Sequence, residues 1–394
     1  MVEQINGFDI YLVNIFTYLV SISLLIAFFL NINLGQLQFL MYISLKRVVN
    51  SDELFVIPFF LLLSQLFIKS KLFDSNLFFI LNSKIPKFFK FYFMFFLTCS
   101  FLPSAVFANS YIVRFLKMNC FASDEDKICL AQFFSVFNFI SPISIPILIY
   151  AYLLRLPIKT VIIMFILLSH IFFIVGYLYL LKKRNYNFMR KKSNKIDVLF
   201  YFFIMIFFYY YLFIPESIMK VVSVTIVITF VYSLFTRKLN VVRNALLVRD
   251  VLFRSGVIVS ILIMLFFMNM IIIYGKYNVL TSNFFTSFLS DRYIIIVFLL
   301  CVSFILLQFI DPMAVLIVLY PFYRILIDEY NFNEYVFGMG YILFLSLGFF
   351  SYIKNLVIEN YILKFKISYE YLGHYFLKLM LLISLLSSVI MIFI

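Results

Sequence analysis

Residues 141–168 read SPISIPILIYAYLLRLPIKTVIIMFILL. Arg155 and Lys159 are the only charged side chains in this stretch. A helix that crosses the hydrocarbon of a bilayer needs ~20 mostly apolar residues, because lipid offers no partner to a bare N–H or C=O. Ser141-Pro142 interrupts one such run, 128–154, and Pro157 opens a second, 157–181. Irregular backbone at membrane depth is tolerated where protein or a water-filled cavity solvates it. A plain proline kink is the alternative reading of a single break.

The rest of the chain has the same character. Of its 394 residues, 65% are hydrophobic and 13% charged, and the mean hydropathy is +1.08. A soluble domain lies nearer ~45–50% apolar and ~25% charged. The length leaves room for about ten spans, which makes the expectation an all-α polytopic integral membrane protein. The first run, Ile10 to Leu30, is too long for a signal core and lacks a small-residue cleavage site, so it reads as a first transmembrane helix. The net charge of +14 sits mainly in short loops between apolar runs, the pattern of cytoplasmic loops. It implies a lipid surface rather than nucleic acid. The strongest basic connection, Lys182-Lys183-Arg184 through Arg190-Lys191-Lys192 and Lys195, divides the chain near its middle. Asn33 to Val49 and residues 236–250 place apolar side chains at helical spacing opposite polar ones, which predicts amphipathic helices on the membrane face. Cys120 and Cys129 lie in or beside one polar connection and lack metal-type spacing. They pair only in an oxidising compartment.

Other runs are broken as well: 77–116 around Pro103, 293–327 at Asp311-Pro312, and 335–361. With 182–195 in the cytoplasm, the halves show the same order: surface helix, span, interrupted pair, interrupted span. Interrupted segments at corresponding positions of two halves point to the binding site of a secondary transporter.

At these breaks the chain resembles the large membrane subunit of TRAP (tripartite ATP-independent periplasmic) transporters, the DctM-like proteins. Ile57-Pro58-Phe59-Phe60 is similar to the family's Ile-Pro-(Leu/Phe)-Phe core. The stretch from Ser141 is similar to its Pro-Pro-Ser-Ile-Pro segment, keeping Pro142, Ser144, Ile145 and Pro146. Asp311, Pro312, Ala314 and Pro321 follow its Asp-Pro-Thr-Ala segment and later proline, and residues 371–386 its terminal helix. There are departures. One span, where the family has two, precedes the first surface helix. The Ser-Gly-Ser-Ala tip falls on Leu102-Pro103-Ser104-Ala105, and the Thr-Pro-Pro-Val-Gly-x-Asn tract on 351–357, where almost nothing survives.

The resemblance implies an elevator-type architecture of two inverted repeats, 1–181 and 197–394, joined by a basic loop at 182–196. Each repeat carries a re-entrant hairpin (77–116, 293–327) and a broken helix (128–154, 335–361). It implies import of small organic acids into a bacterium across its inner membrane, driven by a cation gradient. The partners would be a small membrane subunit and a periplasmic substrate-binding protein. Substrate- and ion-binding candidates are Ser104, Ala105, Ser141, Ser144, Asp311, Ser351, Lys354 and Asn355, with sodium as coupling ion near Ser104 and Ser351. Serines at such tips coordinate a cation or cap a broken helix. Asp311 is either an N-cap for the helix opening at Pro312 or an ion or proton ligand. Lys354 either stands where sodium would otherwise sit or snorkels beside Glu359. Arg114 and Arg155 read as interfacial anchors, and His170 as a satisfied core residue. No catalytic constellation is visible, so the chain reads as a non-enzyme. Two competitors remain: a membrane enzyme or flippase of surface-polysaccharide assembly, and a degenerate family member without coupled transport.

Overall fold

The computed structural model describes the chain apart from residues 1–16, 18–19, 22, 28–31, 51, 100–101, 103–104, 142, 183, 185, 190, 213–217, 237–240, 276–291, 351–364, 366–368 and 394. The protein is all-α; among the described residues the one β pairing joins two two-residue strands. Beyond helical residues within 17–27, the elements in chain order are α1 (Leu34–Val49), α2 (Asp52–Lys69), α3 (Leu72–Asn82), α4 (Lys87–Cys99), α5 (Ala105–Asn119), β1 (Cys120–Phe121), α6 (Asp124–Phe139), α7 (Ile145–Leu154), α8 (Ile158–Gly176), β2 (Asn187–Phe188), α9 (Lys195–Leu212), α10 (Ile218–Phe235), α11 (Val241–Tyr274), α12 (Arg292–Leu307), α13 (Pro312–Val318), α14 (Tyr320–Tyr330), α15 (Glu334–Leu345) and α16 (Tyr369–Ile392). A π turn, Tyr177–Leu181, prolongs α8, and a 3₁₀ turn, Ser346–Phe350, prolongs α15.

Local chemistry explains most boundaries. Asn33 and Gln36 form a capping box at the start of α1, satisfying two of the donors that a helix start leaves bare. The Ser123 hydroxyl caps α6, whose first turn carries Asp124, Glu125 and Asp126, the sign that a helix N-terminus favours. Asn333 caps α15 by accepting from two backbone N–H groups. Lys71, Arg155 and Asn331 adopt positive φ at the joins of α2 to α3, α7 to α8 and α14 to α15.

Several sequence expectations shift. Within 77–116, Ser83 to Pro86 separates α3, a short helix of its own, from α4. Residues 241–250, expected as a surface arm, run without interruption into 251–274 as a single 34-residue helix. Among the described residues, one helix, Ile158–Leu181, is long and apolar enough to cross a membrane, and seven others are apolar over 10–17 residues. The count of about ten spans is therefore not reproduced. Ile145–Leu154 is short because a break precedes it, and Ile10 to Leu30 lies mostly outside the described residues.

α1 packs on the end of α11, where the Gln36 amide donates to the Tyr274 hydroxyl at 2.8 Å. α2 packs on α10 and α11, and α9 on α3 and α10. The remaining helices enclose an aromatic core in which Phe95 meets Phe133, Phe134, Phe137 and Phe173 with ring centroids 5.0–5.6 Å apart.

Candidate functional site

The directions of the helices follow from a few hydrogen bonds. The basic loop folds over one end of the molecule. There Lys87 at the start of α4 donates to the carbonyls of Leu181 and Arg184, and Lys191 donates to the Asn119 side chain at the end of α5 at 2.7 Å. The Arg184 guanidinium pairs with Asp126 in the first turn of α6, and the Tyr186 hydroxyl donates to the Asp126 carbonyl at 3.1 Å. β1 and β2 pair antiparallel beside them. Thus α4 leaves this end and α5 returns to it, while α6 and α7 together run away from it towards Arg155 and α8 comes back.

The second half enters from the opposite side. The Tyr150 hydroxyl, near the Arg155 end of α7, donates to the carbonyl of Glu334 at the start of α15 at 2.6 Å. Ser303 of α12 lies 3.0 Å from the Tyr341 hydroxyl of α15, and Leu307 lies against Gly348. α12 therefore runs parallel to α15, and both reach their breaks from the Arg155 end. α13 and α14 return to that end, where residues 331–333 turn into α15.

These segments meet at their interruptions. Asn138 near the end of α6 donates through Nδ2 to the Leu102 carbonyl, at the tip of the first hairpin, at 2.6 Å. Gln132 of α6 donates to the Phe349 carbonyl in the 3₁₀ turn at 3.1 Å. The Phe139 and Phe349 rings are 5.1 Å apart, and Gly348 abuts both Pro312 and Leu307. Four breaks between helices, around residues 102, 141, 311 and 348, thus share one neighbourhood.

Its polar groups are buried and largely bonded to carbonyls. Ser144 stands at the N-cap position of α7, yet its hydroxyl does not cap that helix. It donates across the break to the Phe139 carbonyl at 2.6 Å. Ser169 of α8 donates to the Ile140 carbonyl at 3.1 Å, and Ser141 N donates to the Asn138 carbonyl at 3.1 Å. The Asn109 amide of α5 donates to the Ser135 hydroxyl at 2.6 Å. Among the described residues, the buried Asn138 Oδ1 acceptor has no hydrogen-bond partner.

Of the sequence candidates, Ser141 and Ser144 are buried here, and Ala105 is buried at the opening of α5 beside the tip. Asp311 is half-buried and caps α13 by accepting from Met313 N at 2.8 Å, with Pro312 in the first helical position. Ser104, Ser351, Lys354, Asn355 and Glu359 lie outside the described residues. Arg114 and Arg155 are exposed. His170 is satisfied on both nitrogens: Nδ1 donates to the Ile166 carbonyl at 2.6 Å, and Nε2 accepts from the Tyr92 hydroxyl at 2.5 Å. Cys120 and Cys129 are free, buried thiols, and burial pushes Cys120 up to about 12.

The sequence reading missed Gln132, Ser135, Asn138 and Asn109. The signal was present: Gln132, Ser135, Asn138, Ser141 and Ser144 recur every third residue along an otherwise apolar run. Neither a protein-family model nor a curated protein matches the chain.

Proposed function

We propose that the chain is the membrane subunit of a secondary transporter that imports small organic acids, built as two inverted halves within a bilayer. The observation that carries this reading is the meeting of four backbone interruptions, two approached from each end, in a buried polar neighbourhood. An uncovered carbonyl or N–H in an apolar core costs several kcal/mol unless a ligand, water or side chain satisfies it, so four interruptions at one level mark a place built for a ligand.

The outer surface supports the bilayer. α8 exposes Ile163, Leu167, Ile171, Ile174 and Leu178, and α9 exposes Leu199, Phe203, Ile206 and Tyr210. α16 exposes Leu377, Leu381, Leu385, Val389 and Ile392. Each series follows helical spacing, so each helix is apolar outside as well as inside. Contiguous apolar belts of this kind are rare on soluble monomers.

In this reading the N-termini of α5 and α7 present positive dipole ends to a carboxylate substrate. Carbonyls and hydroxyls at the breaks serve a hard monovalent cation, for which the buried, undonated Asn138 Oδ1 beside the Leu102 carbonyl is a fitting ligand. Sodium near Ser104 and Ser351, a small membrane subunit and a periplasmic binding protein belong to the same proposal, by resemblance to TRAP transporters. The test is reconstitution with those two partners in proteoliposomes, scoring uptake of labelled mono- and dicarboxylates under an imposed sodium or proton gradient. Gradient-dependent uptake is expected. Its absence across the series under both gradients would overturn the reading in favour of a degenerate subunit.

A further inference from the structure

Among the described residues, several lysines at the basic end form no ion pair. Lys87 donates to two backbone carbonyls, Lys90 donates to the Leu81 carbonyl at 2.9 Å, and Lys191 to an asparagine oxygen. These acceptors are neutral, so they orient the ammonium groups without cancelling their charge. Asp126 is taken by Arg184 and Asp124 by Lys127. Lys84 and Lys182 stand exposed at the same end.

Directly below these lysines the surface is apolar. α4 and α8 lie side by side, with Phe88 packed on Phe173 and Tyr177 at 5.5 and 5.0 Å. Their outer faces expose Phe89 and Phe93 on α4, and Ile174 and Leu178 on α8. The strip runs about 6 Å along the helices, the part of the ~15 Å half-thickness of a bilayer core that lies nearest the headgroups. A charged head over a two-helix apolar strip is the shape of one anionic phospholipid. The geometry points to a binding surface for such a lipid, its phosphate at Lys84 and Lys182 and its acyl chains against Phe89, Phe93, Ile174 and Leu178. This rests on the bilayer placement proposed above but not on transport. Juxtamembrane lysines attract anionic lipid by about 1 kcal/mol each, about fivefold in affinity.

The chain contains no tryptophan, so Phe89→Trp introduces a single indole, excited selectively over the tyrosines at about 295 nm, at an exposed position. The purified variant is reconstituted with phosphatidylcholine or phosphatidylglycerol carrying brominated acyl chains, which quench indole on contact. About 25-fold preferential quenching by phosphatidylglycerol is expected from the two lysines, falling to about fivefold with either Lys84→Gln or Lys182→Gln and towards parity with both. Equal quenching by the two lipids would overturn the inference and leave the bilayer placement intact. A preference that survives both lysine substitutions, or that inorganic phosphate abolishes at constant ionic strength, would also overturn it. Quenching by neither lipid would overturn the bilayer placement itself, and this inference with it.

Discussion

Gly348 sits where the two interrupted segments of the second half touch, and it has no room for a side chain. A Cβ there would lie 2.6 Å from Pro312 Cγ, 2.8 Å from Leu307 Cδ2 and 3.3 Å from Pro312 Cδ. Comfortable carbon contacts lie at ~3.5–4.0 Å, so the closest pair must separate by roughly 1 Å. Leu307 is able to change rotamer, whereas the proline ring is fixed to the first turn of α13 and moves only with the backbone. Overpacking of this kind costs typically ~1–3 kcal/mol. The gain from replacing glycine by alanine in helical backbone, about 1 kcal/mol, offsets part of it. Gly348→Ala should therefore be destabilised by up to about 2 kcal/mol. Gly256→Ala in α11 is the matched control, since its Cβ would meet nothing within 4 Å. That variant should be neutral or more stable by up to ~1 kcal/mol. Thermal unfolding of the purified variants in one detergent reads the difference. A Gly348→Ala protein as stable as Gly256→Ala would refute the close apposition of α13 and the 3₁₀ turn.

Further outcomes follow from the same contacts. Gln132→Leu removes the donor to the buried Phe349 carbonyl and should cost ~1–3 kcal/mol in thermal unfolding. Asp126→Asn and Arg184→Gln, alone and together, form a double-mutant cycle across the clamp of the basic loop. A coupling of about 1–3 kcal/mol is expected, and additive effects would count against the pair. Cys120, with its thiol pushed up to about 12 by burial, should resist maleimide at pH 8 until the protein is unfolded, as read by peptide mass spectrometry. Because its folded value lies above the unfolded one, its contribution to stability is complete below about pH 9 and declines as pH rises towards 12.

Prolines made most of the interruptions legible. Pro142 and Pro312 each remove a backbone donor in an apolar run; a helix starts at Ile145, shortly after the first, and at Pro312 itself. The fourth interruption carries no proline and was expected at 351–357. The helix already tightens at Ser346, where small Ser346 and Gly348 let neighbouring elements approach. The arm at 241–250 was misjudged for the opposite reason. Its arginines mark a change of surroundings, but no proline or capping residue forces the backbone to stop, so α11 continues. The polar ladder of α6 was hidden by its neighbours. Phe133, Phe134, Phe137 and Phe139 dominate any average over the run, while Gln132, Ser135 and Asn138 each look incidental until the spacing of three is set against the hairpin tip.

The bond from Gln132 to Phe349 joins residues 217 apart in the chain. At a synthesis rate of ~5–20 residues per second, the acceptor leaves the ribosome about 10–40 s after the donor. For that interval this particular long-range bond cannot form. The order of synthesis thus becomes part of how this fold is reached.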